Sequence, residues 1–171
     1  MKICILSDSH DNIPLLKLAT HQAKQRGTEV ILHCGDVVAP STLATLQPYG
    51  LPIHVVHGNN TGDLYTLTKL SQKEGSVIHY YGQDADIMLA DKRIFIVHYP
   101  HYARGMATTG DYDLVCCGHT HIPVIKYIKN VKGTQTIVCN PGAVGSVSDL
   151  PPTYIFGDLH TMEFEIIPIE T

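Results

Sequence analysis

The sequence predicts an α/β fold in which two β-sheets face each other and helices pack on the outside. The first half of the 171-residue chain alternates short apolar runs with segments of helical periodicity, which is typical of parallel β-α-β units. From about residue 76 the pattern changes to strands separated by turns, which indicates mostly antiparallel pairing. Because no linker-like stretch separates the halves, we expect one domain over residues 1–171.

The first half is predicted to run β-α-β-α-β. The run "KICILS" is a continuous apolar segment of the kind that is buried on both faces of a parallel sheet. A helix should follow it, with Asp11 or Asn12 as N-cap, Pro14 in its first turn and Gly27 after its end. The next segments in order are a strand in "TEVILHCGD", a helix in "STLATLQPYG", a strand in "LPIHVVHGNN" and a short helix in "DLYTLTKLSQKEG".

The second half is predicted to consist mainly of hairpins. The segment "DADIMLADKRIFIVHYPH" should turn near Asp91 and Lys92, and "IPVIKYIKNVKGTQTIVCNPG" should turn at Lys132 and Gly133. The run "YDLVCCGHTH" is predicted to be a strand between these hairpins. Two closing strands follow in "TYIFGDL" and "MEFEIIPIE".

The composition argues against two classes of partner. The chain carries 12 Lys and Arg against 16 Asp and Glu, a formal net charge of −4 with neutral histidines. It has no block of basic residues, so we expect no nucleic-acid partner. No apolar run approaches the roughly 18 residues of a membrane helix, so we expect no membrane association.

The N-terminus and the cysteines predict a cytoplasmic protein. The N-terminal apolar run is shorter than the roughly 7–15 residues of a signal-peptide core. The five cysteines are odd in number, form no Cys-x-x-Cys pair and lie in apolar, β-like runs. This is typical of buried reduced thiols rather than of disulfides or a zinc knuckle.

Polar residues that can bind metal ions collect where predicted strands end. Such positions meet at one edge of an α/β sheet, on loops that a rigid scaffold holds. The candidates are two carboxylates, one amide and four imidazoles: Asp8, His10, Asp36, Asn59, His98, His119 and His121.

The number of these residues exceeds what one tetrahedral ion needs, and it fits two metal ions that share one Asp. Taken alone, each motif is weak, since Asp-x-His is usually a capped loop and Gly-Asn-Asn a turn. Their joint occurrence at strand ends favours a metal site. In extended backbone, the two-residue spacing of Asp8 and His10 would place both side chains on one face. Glycines before Asp36, Asn59 and His119 would let the backbone approach an ion closely.

The order of these motifs resembles that of the calcineurin-like metallophosphoesterases, which carry Asp-x-His, Gly-Asp, Gly-Asn, a lone His and then Gly-His-x-His. The resemblance spans residues 3 to about 145. The short chain and Asn140-Pro141-Gly142 resemble the small single-domain branch of phosphodiesterases, whose fold the retromer scaffolding subunit shares. The resemblance implies a four-layer sandwich of two mixed β-sheets flanked by helices.

The resemblance also implies roles for the candidate residues. By it, Asp8, His10 and His121 bind a first divalent ion, Asn59, His98 and His119 bind a second, and Asp36 bridges the two. The implied reaction is hydrolysis of a small phosphate ester, a diester rather than a monoester, by a hydroxide that both ions activate. Oxygen and imidazole ligands suit Mn²⁺, which we rank first, with Fe²⁺, Zn²⁺ and Ni²⁺ as alternatives.

The chain departs from the family pattern at two places. Asn60 stands where the family usually has a His that contacts the phosphate and can protonate the leaving group. An amide can donate a hydrogen bond to a phosphate oxygen but supplies no proton at pH 7, so we expect slow turnover of poor leaving groups. His98 is followed by Tyr99 rather than Gly. His101 is our candidate for a substitute acid, and the alternative is a solvated loop histidine.

Other residues near these motifs have two interpretations each. Tyr99 either narrows the pocket or packs against its loop. Arg104 either pairs with a phosphate oxygen or is an ordinary surface arginine. His33 and His57 either orient ligands from behind or are satisfied buried histidines.

The sequence therefore predicts a metal-dependent phosphoesterase. The alternative is a catalytically weak or inactive metal-binding scaffold for a protein partner, which the departures at Asn60 and after His98 motivate. A third interpretation is a metal-binding regulatory domain that binds phosphate without hydrolysing it. A homo-oligomer is left open, since even-numbered assemblies are common.

Overall fold

The computed structural model describes residues 1–145 and 149–170. In this part of the chain the strands are β1 (Lys2–Leu6), β2 (Val30–His33), β3 (Ile53–Val55), β4 (Ile78–Tyr80), β5 (Asp84–Leu89), β6 (Lys92–Val97), β7 (Leu114–Cys116), β8 (Val124–Lys129), β9 (Gln135–Asn140), β10 (Thr153–Asp158) and β11 (Glu163–Pro168). The helices are α1 (Ile13–Gln25), α2 (Pro40–Ala44), α3 (Leu64–Gln72) and α4 (Pro100–Thr109), with a 3₁₀ turn at Gln47–Tyr49.

The strands form two mixed sheets. The first has the order β11-β10-β1-β2-β3-β4 and the second the order β5-β6-β7-β9-β8. Strands β1 to β4 are parallel, and β10 runs antiparallel between β1 and β11. In the second sheet β6, β7 and β9 are parallel, with β5 and β8 antiparallel at the edges. The predicted arrangement of two mixed sheets flanked by helices is confirmed.

Alternate residues of β1 show how the layers stack. Ile3 and Ile5 point into an apolar cluster between the two sheets, which also contains Ile94 of β6. Cys4 and Leu6 point the other way, into a cluster beneath the helices of the first half. This alternation follows from the two-residue period of a strand. It explains why "KICILS" is apolar without a break.

Helix α4 is a difference from the sequence prediction, which treated the residues after His98 as a loop. Pro100 lies in its first turn, and Gly110 ends it in the left-handed conformation with φ of 72°. Its buried face consists of Ala103 and Ala107, which pack on the outer side of the second sheet. Two alanines are a weak periodic signal, so the helix was missed. Because α4 connects β6 to β7, these strands pair in parallel rather than antiparallel.

Four further findings concern the helices and the cysteines. Asn12, one of the two N-cap candidates, accepts a hydrogen bond from the backbone N–H of Leu15 at 3.2 Å. The helix predicted in "STLATLQPYG" is split into α2 and the 3₁₀ turn, which Gly50 ends with φ of 67°. All five cysteines are buried free thiols, as predicted. In the described residues, no helix combines the length and the apolar character that a bilayer span requires.

Candidate metal centre

The loops that follow β1, β2, β3, β6 and β7 meet at one end of the two sheets. Backbone hydrogen bonds connect them: the N–H of Asp8 donates to the carbonyl of Gly35 at 3.0 Å, and the N–H of His10 donates to that of Asp36 at 3.0 Å. Across the second sheet, the N–H of Gly118 donates to the carbonyl of His98 at 3.0 Å. The structure thus brings the seven predicted ligands together, and the loops that carry them support one another.

At the candidate ligands that follow β1, β2 and β7 the backbone is left-handed, so the expectation of extended backbone between Asp8 and His10 is wrong. Asp8 and His10 have φ of 53° and 42°, Asp36 has 53°, and His119 and His121 have 71° and 59°. Non-glycine residues adopt this region infrequently, and such conformations cluster at functional sites. In this curled backbone, Asp8 and His10 lie side by side, whereas His121 approaches Asp8 and His119 approaches Asn59.

Three glycines allow the close approach that the sequence predicted. A Cβ atom on Gly58 would lie 2.1 Å from Asp36 Oδ1, and one on Gly118 would lie 2.6 Å from Asp8 Oδ2. A Cβ on Gly35 would lie 2.7 Å from His98 Nδ1. Since real Cβ contacts are not this short, the packing at these positions requires glycine.

The first group of donor atoms contains Asp8, His10 and His121. Their ligand atoms all lie within 4.8 Å of one another. His121 Nε2 is 3.2 Å and His10 Nε2 is 3.8 Å from Asp8 Oδ1. His10 Nε2 is also 3.7 Å from Asp36 Oδ2. One oxygen of Asp36 therefore faces this group.

The second group surrounds the other oxygen of Asp36. His98 Nε2 lies 3.5 Å from Asp36 Oδ1 and 3.0 Å from Asn59 Oδ1. His119 Nδ1 lies 2.9 Å from the same Asn59 oxygen. The ligand atoms of Asp8, Asp36 and His98 also lie within 4.8 Å of one another, so the two groups are contiguous.

The protonation of His98 follows from its partners. Its ring is buried, and Nδ1 lies 2.8 Å from the carbonyl oxygen of Cys34. A carbonyl only accepts, so Nδ1 carries the proton, and in the neutral ring Nε2 presents a lone pair. That lone pair faces Asn59 Oδ1, which is also an acceptor. Two hydrogen-bond acceptors in contact repel each other, and a cation bound by both would remove this repulsion.

The first group fits a cation for a similar reason. Asp8 Oδ1 and His10 Nε2 are buried atoms without a hydrogen-bond partner among the described residues. His121 Nε2 lies close to Asp8 Oδ1 but not in hydrogen-bonding geometry. Ligands about 2.0–2.2 Å from one ion lie roughly 3–3.5 Å apart at ordinary angles. The observed separations are near this range, and a buried carboxylate needs a positive partner.

Asn60 contacts the carboxylate of Asp36 rather than pointing freely into the cleft. Its backbone N–H donates to Asp36 Oδ1 at 2.8 Å, and its side-chain amide donates to Asp36 Oδ2 at 2.7 Å. Burial alone would raise the pKa of Asp36, but these hydrogen bonds, with nearby His98 and His10, lower it below the ordinary value. Asp36 is therefore held as a carboxylate, with both oxygens oriented by one residue.

His33 supports two of the ligand loops from behind. The backbone N–H of Gly35 donates to its Nδ1 at 3.3 Å, so Nε2 carries the proton and donates to Ser9 Oγ at 3.2 Å. Burial, followed by the proximity of His98, lowers the pKa of His33 to about 3, so the ring is neutral. His57 contacts the hydroxyl of Tyr80 at 2.6 Å, and burial lowers its pKa.

The residues after His98 place aromatic rings beside the second group of donor atoms. The Tyr99 ring lies 5.2 Å from the rings of both His98 and His119. His101 is exposed on the first turn of α4, with its ring 5.7 Å from that of Tyr99 and 4.3 Å from that of Tyr102. It is therefore a helical residue rather than a loop residue, beside the ligands and not among them.

Two supporting groups were missed by sequence reasoning. The Cys34 carbonyl orients His98, and a backbone carbonyl leaves no signal in a sequence. The amide of Asn60 was expected to meet a phosphate oxygen, yet it donates to Asp36. The adjacency of Asn60 to a predicted ligand was the available signal, and the sequence alone could not show which acceptor it meets.

Comparison with known families shows a match over most of the chain. The model of the calcineurin-like phosphoesterase superfamily domain matches residues 1–162, which is nearly the whole chain. The matched range contains all seven candidate ligands, Asn60 and His101.

Individual relatives align with nearly the whole length of this chain. A curated phosphodiesterase of Methanocaldococcus jannaschii is 29% identical over 175 residues, covering 99% of this chain and 100% of that protein. A solved archaeal phosphodiesterase has a TM-score of 0.87 and 26% identity, covering 98% of this chain and 99% of that one. Vps29 of Entamoeba histolytica, solved with Zn²⁺, has a TM-score of 0.64 and 16% identity, covering 99% of this chain and 100% of that one. At that identity, the likeness to Vps29 shows the fold alone.

Proposed function

Because the chain belongs to the calcineurin-like phosphoesterase superfamily, we propose that it is a hydrolase of small phosphodiesters that works with two divalent metal ions. The main observation behind this proposal is that the two carboxylate oxygens of Asp36 face separate groups of donor atoms. The phosphodiesterase named among its relatives supports a diester substrate.

Each of the seven candidate ligands would have a defined role in holding the ions. Asp8, His10 and His121 would hold one ion, Asn59, His98 and His119 the other, and Asp36 would bridge them. When bound, such ions supply a hydroxide at neutral pH and positive charge that stabilises the reacting phosphate. The buried members Asp8, Asp36 and His98 form the floor, and the exposed Asn59 and His119 form the opening toward substrate.

Asn60 would act through Asp36. By donating to both carboxylate oxygens, it fixes the plane of the Asp36 carboxylate, and it would thereby orient this group toward both ions. It supplies no proton, so the leaving group must depart as an anion or receive its proton elsewhere. Esters with acidic leaving groups are therefore the better substrates.

The first experiment compares metal-stripped protein with protein to which Mn²⁺ has been returned. We expect the stripped protein to leave bis-p-nitrophenyl phosphate intact and Mn²⁺ to restore its hydrolysis, measured as released nitrophenolate. Fe²⁺, Zn²⁺ and Ni²⁺ added in parallel would rank the alternatives. Two ions bound per chain without turnover of any diester would contradict the esterase and support a metal-binding scaffold.

His101 is the candidate for the missing acid, and its position predicts a selective effect. His101→Ala should lower kcat about tenfold for a diester with an alkyl leaving group, since general acid catalysis contributes roughly 10²–10⁴-fold and this histidine is exposed. The same variant should barely change hydrolysis of the nitrophenyl ester, whose leaving group needs no proton. Equal effects on both substrates would remove His101 as the acid.

The scaffold alternative has one observation in its favour, the fold shared with Vps29. A scaffold without metal would leave the complete donor set without a role, and a metal-loaded scaffold rests on a likeness at 16% identity, against 29% for the phosphodiesterase. Two buried carboxylates beside lone-pair-bearing imidazoles destabilise a protein unless a cation is bound. The esterase is therefore the function that the geometry supports best.

A further inference from the structure

A groove runs along the border of the metal centre, between helix α4 and strand β8. It encloses a volume of about 540 Å³, a size typical of small-molecule sites. We call it the α4–β8 groove and define it by Pro100, Arg104, Ile122, Lys126, Ile128 and Val138. Most of these side chains are apolar, and Arg104 and Lys126 are the two cations.

The groove shares a wall with the metal centre. Thr120 lines the groove and lies between the candidate ligands His119 and His121. The buried amide of Asn140 donates to Thr120 Oγ1 at 3.0 Å and to the carbonyl of Gly118 at 2.8 Å. One buried side chain therefore connects the loop that carries His119 and His121 to the groove wall. At the other wall, Pro100 begins α4 two residues after His98.

The charge of the groove is opposite to that of the protein. The chain has a formal net charge of −4, yet among the described residues that line the groove there are two cations and no carboxylate. Neither Arg104 nor Lys126 has an ion-pair partner among the residues that the structure describes. An apolar floor with two free cations is complementary to a molecule that has an apolar body and a negative group.

We infer that the α4–β8 groove binds one ester arm of the substrate and selects arms that carry a second negative charge. This inference rests on the proposed phosphodiesterase function, because the reacting phosphate must sit at the metal centre. The apolar body of the arm lies against Ile122 and Ile128, and its anionic group meets Arg104 and Lys126. The preferred substrates are diesters in which one ester arm carries an additional phosphate or carboxylate.

The test uses two diesters that differ by one phosphate. These are thymidine 5′-(p-nitrophenyl phosphate) and the same compound with a 3′-phosphate. In both, water adds to phosphorus and nitrophenolate leaves. We expect kcat/KM to be at least about fivefold higher for the 3′-phosphorylated compound, since charge-assisted hydrogen bonds are strong but exposed cations are screened. The preference should shrink as salt is raised from 0.05 to 0.5 M.

Variants assign the preference to the groove. Arg104→Gln and Lys126→Gln should each lower the ratio of the two kcat/KM values toward one. Lys129→Gln is the matched control, because it removes the same charge from an exposed residue of β8 that does not line the groove. This variant should keep the ratio.

The outcomes separate the two proposals. A ratio near one in the wild type, or one that neither groove variant changes, would overturn the groove assignment while leaving the esterase intact. If no diester is hydrolysed, the proposed function fails. In that case calorimetry with Mn²⁺-loaded protein still tests the groove. Tighter binding of thymidine 3′,5′-bisphosphate than of thymidine 5′-monophosphate, lost in Arg104→Gln, would support it, and equal binding would reject it.

Discussion

Replacing Asp36 with asparagine should abolish hydrolysis and release both metal ions. The two oxygens of Asp36 face different groups of donors, and each accepts a hydrogen bond from Asn60. An asparagine has one oxygen, so its NH₂ group would face a donor of Asn60 in either orientation. We expect kcat/KM for bis-p-nitrophenyl phosphate to fall by about 10³-fold or more, since in the proposed function the ions would supply both the nucleophile and the charge stabilisation.

The measurement combines activity with metal content per chain after dialysis against Mn²⁺. Asp91→Asn is the matched control, because Asp91 has the same charge and a left-handed φ of 61° but lies in the exposed β5–β6 turn. This control should keep both activity and metal. Asp36→Asn with normal activity would eliminate the bridged pair of ions. Loss of one ion with the other retained would show that Asp36 serves a single site.

Replacing Gly58 with alanine should damage the same centre by steric means. The added Cβ would lie 2.1 Å from Asp36 Oδ1 and 2.7 Å from a ring carbon of His98. Neither neighbour can retreat easily, because Asn60 holds Asp36 and the Cys34 carbonyl holds His98. We expect activity to fall by at least about 100-fold, and the free energy of unfolding to fall by roughly 1–3 kcal/mol, as in other overpacked sites.

Gly105→Ala provides the control for this substitution. Gly105 lies within α4, and a Cβ there would meet nothing within 4 Å. Alanine should therefore leave activity unchanged and raise the free energy of unfolding by about 0.5–1 kcal/mol, since it restricts the unfolded chain and favours the helix. Denaturant unfolding and diester hydrolysis measured on both variants test the pair. Wild-type activity in Gly58→Ala would show that the ligand loops are not packed as described.

The order of the strands and the residues at their ends could be predicted from sequence for a physical reason. A strand buried on both faces must be apolar without interruption, so its end is visible where the polar residues begin. Since the polar residues at strand ends were expected to collect at one edge of the fold, residues as distant in sequence as Asp8 and His119 could be expected to meet, although they follow strands of different sheets. The hydrogen bond from the His119 N–H to Asp8 Oδ2 at 3.0 Å realises this expectation.

Helix α4 could not be predicted from the sequence. Its buried face is only Ala103 and Ala107, because the helix packs closely on the sheet and small side chains suffice. Two buried alanines do not give a hydrophobic periodicity that can be recognised in the sequence. Without the helix, the parallel pairing of β6 with β7 could not be foreseen, nor could the groove between α4 and β8.

By itself, the sequence determined the kinds of candidate ligand atoms, their order along the chain and the strands that precede them, because these depend on residue type and on local hydrophobic pattern. Only the tertiary structure decided how those atoms are oriented. The left-handed backbone at Asp8 and Asp36 and the partner of the Asn60 amide result from hydrogen bonds between loops that are far apart in sequence. Such bonds form only once the sheets have packed, so no local pattern encodes them.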